Sequence, residues 1–180
     1  AAGKAAGEFI RTHLPDPAAT TLIIQVQDSP VGTTRAEGCK AQLTTPVMEV
    51  TSTAYTQAAG KKAMEEALAA ANGAQIGAVY AADDDVAIGV LTALQEAENT
   101  TVKTVVGCGG SQTFLLLIHT TAGLNLATTV YSPEGIKQCV DIANTLIIQG
   151  TQPAQKEYIT EMPLVDRNNA ADYINPASRY

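Results

Sequence analysis

The feature that most constrains this chain is a regular alternation of short apolar runs with segments of helical spacing. Five runs are rich in β-branched residues and bounded by turn residues, which predicts strands: TTLIIQVQ (20–27), VMEVTSTA (47–54), IGAVYAA (76–82), TVKTVVGC (101–108) and LNLATTVY (124–131). Strands that alternate with helices predict an α/β fold, a doubly wound parallel sheet covered on both faces. Such sheets bind ligands in the crevice outside the carboxyl ends of their strands.

Apolar residues at helical spacing predict the intervening helices, at 4–14, 33–43, 56–71, 84–97, 111–121 and 132–150. Thr33 or Thr34 is expected to cap the second helix, and Pro133 stands near the first turn of the last one. Beyond these, KEYITEMPLV (156–165) is predicted to be extended and NNAADYI (168–174) a terminal turn or helix.

The composition excludes several classes of protein. A length of 180 residues suits one domain or a lobe of something larger, and 46% hydrophobic residues can build a sizeable core. A net charge of −7 without a cluster of Lys and Arg argues against nucleic-acid binding. No run reaches the roughly 18 apolar residues of a membrane span, so we expect no membrane insertion. The three cysteines fit no zinc motif, which favours small buried core residues.

Three aspartates, Asp83 to Asp85, directly follow the run IGAVYAA. Carboxylates at a helix N-terminus cap free N–H groups and complement the helix dipole, but one aspartate is enough for that. Asp83 falls at the end of the strand, where it could contact a ligand, whereas Asp84 and Asp85 fall in the cap and first turn. A Ca²⁺ site is the third alternative, weakened because no alternating Asp/Asn/Gly loop is present.

Two other patterns resemble functional motifs, a dinucleotide fingerprint and a thiol with its base, but do not fit them. VVGCGGSQ (105–112) follows a strand and opens a helix, yet the third glycine of a dinucleotide fingerprint would fall at Gln112. Cys108 and His119 stand at opposite ends of a short helical segment, so they should not meet as thiol and base. We therefore expect no catalysis, no cofactor and no metal.

Two helical segments are more apolar than a surface helix requires. Residues 113–118 are apolar on every side, which indicates either complete burial or contact with another chain. On the helix over 133–149, one face gathers Ile136, Cys139, Val140, Ala143 and Ile147. Exposed apolar patches of this size usually mark interfaces, so both segments are candidate contacts with a partner.

The order of elements, with several motifs, resembles the type I periplasmic sugar-binding proteins, and the ribose-binding group in particular. The segments that carry the resemblance are GKAAGEFI, AVYAADDDVAIGVLTALQEA, VKTVVGCGG, LATTVYSPEGIKQCVDIANTLIIQG and MPLVDRNNAADYI. It runs from about residue 4 to residue 173 but covers only the second half of a family member. The resemblance implies the C-terminal lobe over 1–132, a helix and strand over 133–160 that pack on an N-terminal lobe or a partner, and a return segment over 161–180.

The resemblance also implies site residues. Asp83 matches the position, usually Asn or Asp, that hydrogen-bonds sugar hydroxyls, and Tyr55 matches an aromatic that lines the sugar. Tyr131 matches a polar hinge residue that reaches the ligand. The family's sugar-binding Arg would stand at Thr33, so Arg35 fills that role only if the preceding loop differs in length.

A second departure from the family pattern concerns an acidic ligand residue. The family's sugar-binding Asp corresponds to Gly109 in VGCGG. Losing an Arg and an Asp would remove charge-assisted contacts to a sugar ring. The expected function is nevertheless non-enzymatic binding of a small polar ligand, sugar or sugar-like, in an ABC-transport or chemoreceptor system outside the cytoplasm. Two alternatives are an assembly module that kept the fold and lost the site, and the effector-binding domain of a lac-repressor-type regulator.

Overall fold

The structure is a computed structural model that describes residues 1–131, 135–152, 155, 157–158, 161–175 and 177–178. The strands are β1 (Thr20–Val26), β2 (Val47–Ser52), β3 (Ile76–Ala81), β4 (Thr104–Gly109), β5 (Asn125–Val130) and β6 (Leu164–Asp166). The helices are α1 (Ala2–His13), α2 (Pro30–Lys40), α3 (Gln57–Ala70), α4 (Asp84–Glu96), α5 (Gln112–Thr120) and α6 (Gly135–Ile147), followed by a 3₁₀ turn at Ala170–Asp172.

The strands form one sheet in the order β2-β1-β3-β4-β5-β6. β1 to β5 are parallel, and the short β6 pairs antiparallel with β5. The strand order changes direction between β1 and β3, as in a doubly wound sheet. The predicted α/β fold is therefore confirmed, with β6 as an added antiparallel edge.

Side chains at alternate positions along the strands pack into two separate hydrophobic cores. On one face, Ile23, Tyr80 and Val106 pack with residues of α1 and α2, such as Ile10. On the other face, the intervening strand residues pack with α3, α4 and α5 in a larger cluster. β3 and β4 are buried along their whole length because both faces are covered.

Close packing of α1 on α2 depends on glycine. A Cβ on Gly3 would lie 1.9 Å from the carbonyl oxygen of Arg35, and one on Gly7 would lie 2.4 Å from that of Cys39. Neither position has room for a side chain, so the absence of one lets the two helix backbones come into contact.

The start of α2 differs from the prediction. The cap is Ser29, whose Oγ accepts a hydrogen bond from the Gly32 N–H, and Pro30 occupies the first turn. Thr33 and Thr34 instead lie inside the helix, where their hydroxyls donate to the carbonyls of residues four positions earlier. Ser followed by Pro is the stronger start signal because proline fits the first helical position without losing a hydrogen bond.

The two apolar segments behave differently. In α5, Phe114, Leu115 and Ile118 are buried within the lobe, while Leu116 is 51% exposed, so complete burial is wrong for this segment. In α6 no residue is buried, and Ile136 and Ile147 are each 74% exposed. Residues 132–134, including Pro133, lie outside the described residues.

Two further predictions meet the structure only in part. Cys39 and Cys108 are buried as predicted, but Cys139 is exposed because it lies on α6, none of whose residues is buried. Of the segment over 156–165, the strand includes only its last two residues, and residues 156, 159 and 160 lie outside the described part. Among the described residues, no helix combines the length and the hydropathy that crossing a bilayer requires.

Candidate ligand-binding site

The sequence-predicted site residues all follow the carboxyl ends of strands in the parallel sheet. Arg35 lies in α2, which follows β1, and Tyr55 lies in the loop between β2 and α3. Asp83 stands between β3 and α4, and Tyr131 directly follows β5. Because these four strands run parallel, the structure brings the four residues to one edge of the sheet, where this architecture binds ligands.

Asp83 is the N-cap of α4. Its Oδ1 accepts a hydrogen bond of 2.9 Å from the Asp85 N–H, which satisfies one of the free amides of the first turn. Burial raises the pKa of Asp83, and the backbone hydrogen bond and the charge of Arg35 oppose that rise. Asp83 is thus a half-buried hydrogen-bond acceptor at the sheet edge, and capping and ligand contact are compatible because the carboxylate has a second oxygen.

Arg35 and Tyr131 meet across the same edge. The guanidinium carbon of Arg35 lies 5.5 Å from the centre of the Tyr131 ring, within the range of a cation–π contact. Arg35 is half-buried and forms no ion pair in the described part of the chain, although its charge reaches Asp83. A guanidinium held on a ring keeps its planar donors available for oxygen acceptors.

Tyr55 lies beside Arg35, Asp83 and Tyr131 and is 42% exposed. Its hydroxyl forms a hydrogen bond with Ser29 Oγ, the same atom that caps α2. The loops that follow β1 and β2 are therefore joined through Tyr55, while part of its ring remains open to solvent.

The two positions that depart from the family pattern add no polar side chain to the site. Thr33 is exposed on α2, and Gly109 is the last residue of β4. Gly110 follows with a φ of +88°, which a residue with a side chain rarely adopts, and a Cβ there would lie 2.8 Å from Val130. The end of β4 therefore contributes only backbone, and both glycines are buried.

Asp84 has a role that the sequence did not reveal. It is only 2% exposed, and its carboxylate accepts hydrogen bonds from Gly110 N (2.7 Å), Ser111 N (2.7 Å) and Thr128 Oγ1 (2.6 Å). Burial raises its pKa to about 6, against the opposing effect of these three donors. The only available signal was the surplus of acidic residues, since one aspartate suffices as a cap.

Asp85 points elsewhere, so the three aspartates do not converge. It is exposed and accepts a hydrogen bond of 3.1 Å from Gln57 Nε2. Within the described residues no group of three or more His, Cys, Asp or Glu side chains is arranged to hold a metal ion. The calcium alternative therefore has no geometric support.

The thiol alternative has no support either. Thr129 Oγ1 donates a hydrogen bond of 3.1 Å to Cys108 Sγ inside the sheet. Burial raises the pKa of the Cys108 thiol, which favours the unreactive protonated form. His119 is exposed in the last turn of α5.

A concavity lies at the opposite, amino edge of the sheet. It has a volume of about 510 Å³ and runs between α4, α5 and the loops that lead into β4 and β5. Its apolar lining includes Leu91, Leu94, Leu117 and Leu124, and among the described residues that line it Lys103 is the only cation. Its polar lining residues are Thr92, Gln95, Asn99, Thr100, Lys103 and Thr121.

The fold is that of a doubly wound α/β lobe, with the four candidate residues at the carboxyl edge of its sheet. A family model described as the periplasmic binding protein domain matches residues 1–152, so the chain belongs to the periplasmic binding protein domain family. No curated protein sequence matches the chain significantly.

Solved structures share the fold at low sequence identity. A solute-binding protein of an ABC transporter from Bacillus halodurans, with bound myo-inositol, aligns with a TM-score of 0.82 at 21% identity over 96% of this chain and 60% of its own. The periplasmic binding component of the arabinose transporter from Shewanella sp. ANA-3, bound to L-arabinofuranose, aligns with a TM-score of 0.79 at 23% identity. The alignment covers 96% of this chain and 60% of that protein. A periplasmic solute-binding protein from Actinobacillus succinogenes with bound D-allose aligns with a TM-score of 0.80 at 17% identity. The alignment covers 95% of this chain and 59% of that protein. The chain thus spans about 60% of the length of these proteins.

Proposed function

We propose that the chain binds a small neutral polyhydroxylated solute, a sugar or a cyclic polyol, without chemical conversion. The observation that carries this proposal is the convergence of Arg35, Asp83, Tyr55 and Tyr131 on the carboxyl edge of the sheet. Membership of the periplasmic binding protein domain family and fold neighbours with bound myo-inositol, arabinose and allose support it.

Each residue has a role suited to such a ligand. Asp83 accepts hydrogen bonds from hydroxyl groups, and Arg35 donates to hydroxyl or ring oxygens. The exposed ring of Tyr55 covers an apolar face of the ligand, and Tyr131 holds Arg35 beneath it. Among the four proposed contacts, one cation and one anion together offer both donors and acceptors, which suits a ligand rich in hydroxyl groups.

The proposed cleft is shared with a second lobe. At the carboxyl edge Tyr55 is exposed and the other three residues are half-buried, whereas small-molecule sites bury most of the surface of their ligand. The exposed face of α6 suits contact with that lobe, in keeping with the proposed boundaries 1–132, 133–160 and 161–180. We place this binding function outside the cytoplasm, in transport or chemoreception.

One observation favours the assembly module as a second candidate. α6 leaves Ile136, Val140 and Ile147 exposed, and the two departures at Thr33 and Gly109 weaken the sugar contacts. In an assembly module this face would be covered by another copy of the chain. Light scattering distinguishes the two, since a defined large oligomer favours assembly and a monomer or a particle with one added lobe favours binding.

An NMR titration tests the binding proposal directly. The ¹⁵N-labelled chain is titrated with L-arabinose, D-allose, myo-inositol and glycerol. We expect shifts at the amides around Arg35 and Asp83 that are lost in Asp83→Ala and Arg35→Ala. Arg11→Ala is the matched control because Arg11 is an exposed arginine in the last turn of α1, away from the site. Absence of any shift with all four compounds contradicts the proposal.

A further inference from the structure

Asp84 joins three elements beneath the candidate site. Its own backbone begins α4 directly after β3, its Oδ2 accepts the amides of the turn between β4 and α5, and its Oδ1 accepts the hydroxyl of Thr128 on β5. Asp83, the adjacent residue, and Tyr131, three residues beyond Thr128, are both site residues of the proposed function. The ends of β3, β4 and β5 therefore meet at one buried carboxylate.

The surroundings are shaped for this carboxylate. Gly107 on β4 has no side chain, and a Cβ there would lie 2.3 Å from Asp84 Oδ1. Thr128 is fully buried, so its hydroxyl has no access to solvent. Two backbone amides and a buried hydroxyl would each lose a partner without Asp84, and buried donors without partners are strongly unfavourable.

Helix capping does not explain this arrangement. Asp83 already caps α4, and the exposed Asp85 already supplies a negative charge in its first turn. The hydrogen bonds of Asp84 go instead to residues 26, 27 and 44 positions away in the sequence.

We propose that Asp84 is a positioning residue of the binding site, which fixes the ends of β3, β4 and β5 so that Asp83 and Tyr131 keep their relative placement. The effect on ligand affinity rests on the proposed function, whereas the connection between the strand ends does not. Asp84 itself has no contact with the ligand, because it lies below the surface that the ligand reaches.

An asparagine can replace the carboxylate in this network. Its Oδ1 accepts both amides, and its Nδ2 donates to Thr128 Oγ1 once that hydroxyl rotates to act as acceptor. Asp84→Asn should therefore keep the strand ends together, whereas Asp84→Ala leaves the three donors unpaired.

The pKa of Asp84 provides a second, independent test of this hydrogen-bond network. The titratable groups that face Asp84 are Asp83 from its own turn and Cys108 from β4. Ser111, the N-cap of α5, and Thr128 on β5 also face it but do not titrate. Burial raises the pKa of Asp84 to about 6, and the hydrogen bond from Thr128 lowers it. Thr128→Val, of similar size, should therefore raise this pKa further.

Hydrogen exchange measured by NMR tests the connection without any ligand. In Asp84→Ala, exchange of the Gly110 and Ser111 amides should accelerate about tenfold or more relative to core amides. Asp84→Asn should restore protection, and Asp85→Ala, one position along, is the matched control. Unchanged protection in a folded Asp84→Ala, or equal loss in Asp84→Asn, contradicts the proposal.

Thr128→Val keeps the proposal testable if Asp84→Ala does not fold. A ¹³C titration of the Asp84 carboxyl group should then show a raised pKa, and an unchanged pKa contradicts the proposal. For positioning, the titration with the four polyols is repeated on Asp84→Ala and Asp84→Asn. Affinity should fall about tenfold or more in the first and be restored in the second. Equal affinity in all three chains contradicts positioning, whereas no binding by the wild-type chain contradicts only the proposed function.

Discussion

α1 and α6 are two amphipathic helices of nearly the same length, 12 and 13 residues, with opposite surroundings. α1 buries six residues against α2 and the sheet, and its Gly3 and Gly7 bring the helix backbones into contact. α6 buries none, and Ile136, Val140 and Ile147 are 74%, 60% and 74% exposed. The difference teaches that an apolar stripe predicts that a helix has a partner but not whether the partner belongs to the same lobe.

Thiol reactivity offers the largest expected contrast between the two helices. Cys39 lies beneath α1, where burial raises its pKa to about 12, while Cys139 is exposed on α6. With a thiol reagent near neutral pH, Cys139 should react at least about a thousandfold faster than Cys39, which reacts only through unfolding. Mass spectrometry of the labelled peptides gives both rates, and Cys139→Ser identifies the fast one. Slow labelling of Cys139 would mean that α6 is already covered.

Truncation of one isoleucine on each helix should give the next largest contrast. Ile10→Ala removes a fully buried side chain of α1 and should cost about 2–5 kcal/mol of stability. Ile136→Ala on α6 should change the stability of this chain by no more than about 0.5 kcal/mol. Urea denaturation followed by circular dichroism measures both. Similar losses of stability in the two variants would contradict the difference in burial between α1 and α6.

Enlargement of a small residue should give a smaller effect. Gly7→Val forces a side chain against the carbonyl of Cys39 and should cost about 1–3 kcal/mol. Ala143→Val on the exposed face of α6 is the control and should stay within about 0.5 kcal/mol. Thermal melts of the two variants are sufficient to rank them. A neutral Gly7→Val would show that α1 can move away from α2.

Much of the fold could be predicted because its signals are local. Apolar runs bounded by turn residues located β1 to β5, and helical spacing located the helices that connect them. The cap of α2 is an exception, because the sequence offers two start signals close together, Thr33 or Thr34 and Ser29 with Pro30, and the second begins the helix. The burial of α5 and α6 does not follow from the sequence, because it depends on what packs over each helix and residue spacing carries no information on that.

The site could be predicted only as far as the resemblance reached. Its motifs selected Arg35, Asp83, Tyr55 and Tyr131, and the structure brings these to one edge, although their contact with a ligand stays a prediction. The function of Asp84 depends on Gly110, Ser111 and Thr128, which are distant in sequence, so no local pattern could reveal it.

The measurement that tests the central claim most directly is the NMR titration of the wild-type chain with the four polyols. The account predicts that at least one of them shifts the amides around Arg35, Asp83 and Tyr131, with Asp83→Ala abolishing the response. Shifts confined to the concavity at the amino edge, around Leu117 and Leu124, would contradict this account, as would the absence of shifts with all four compounds.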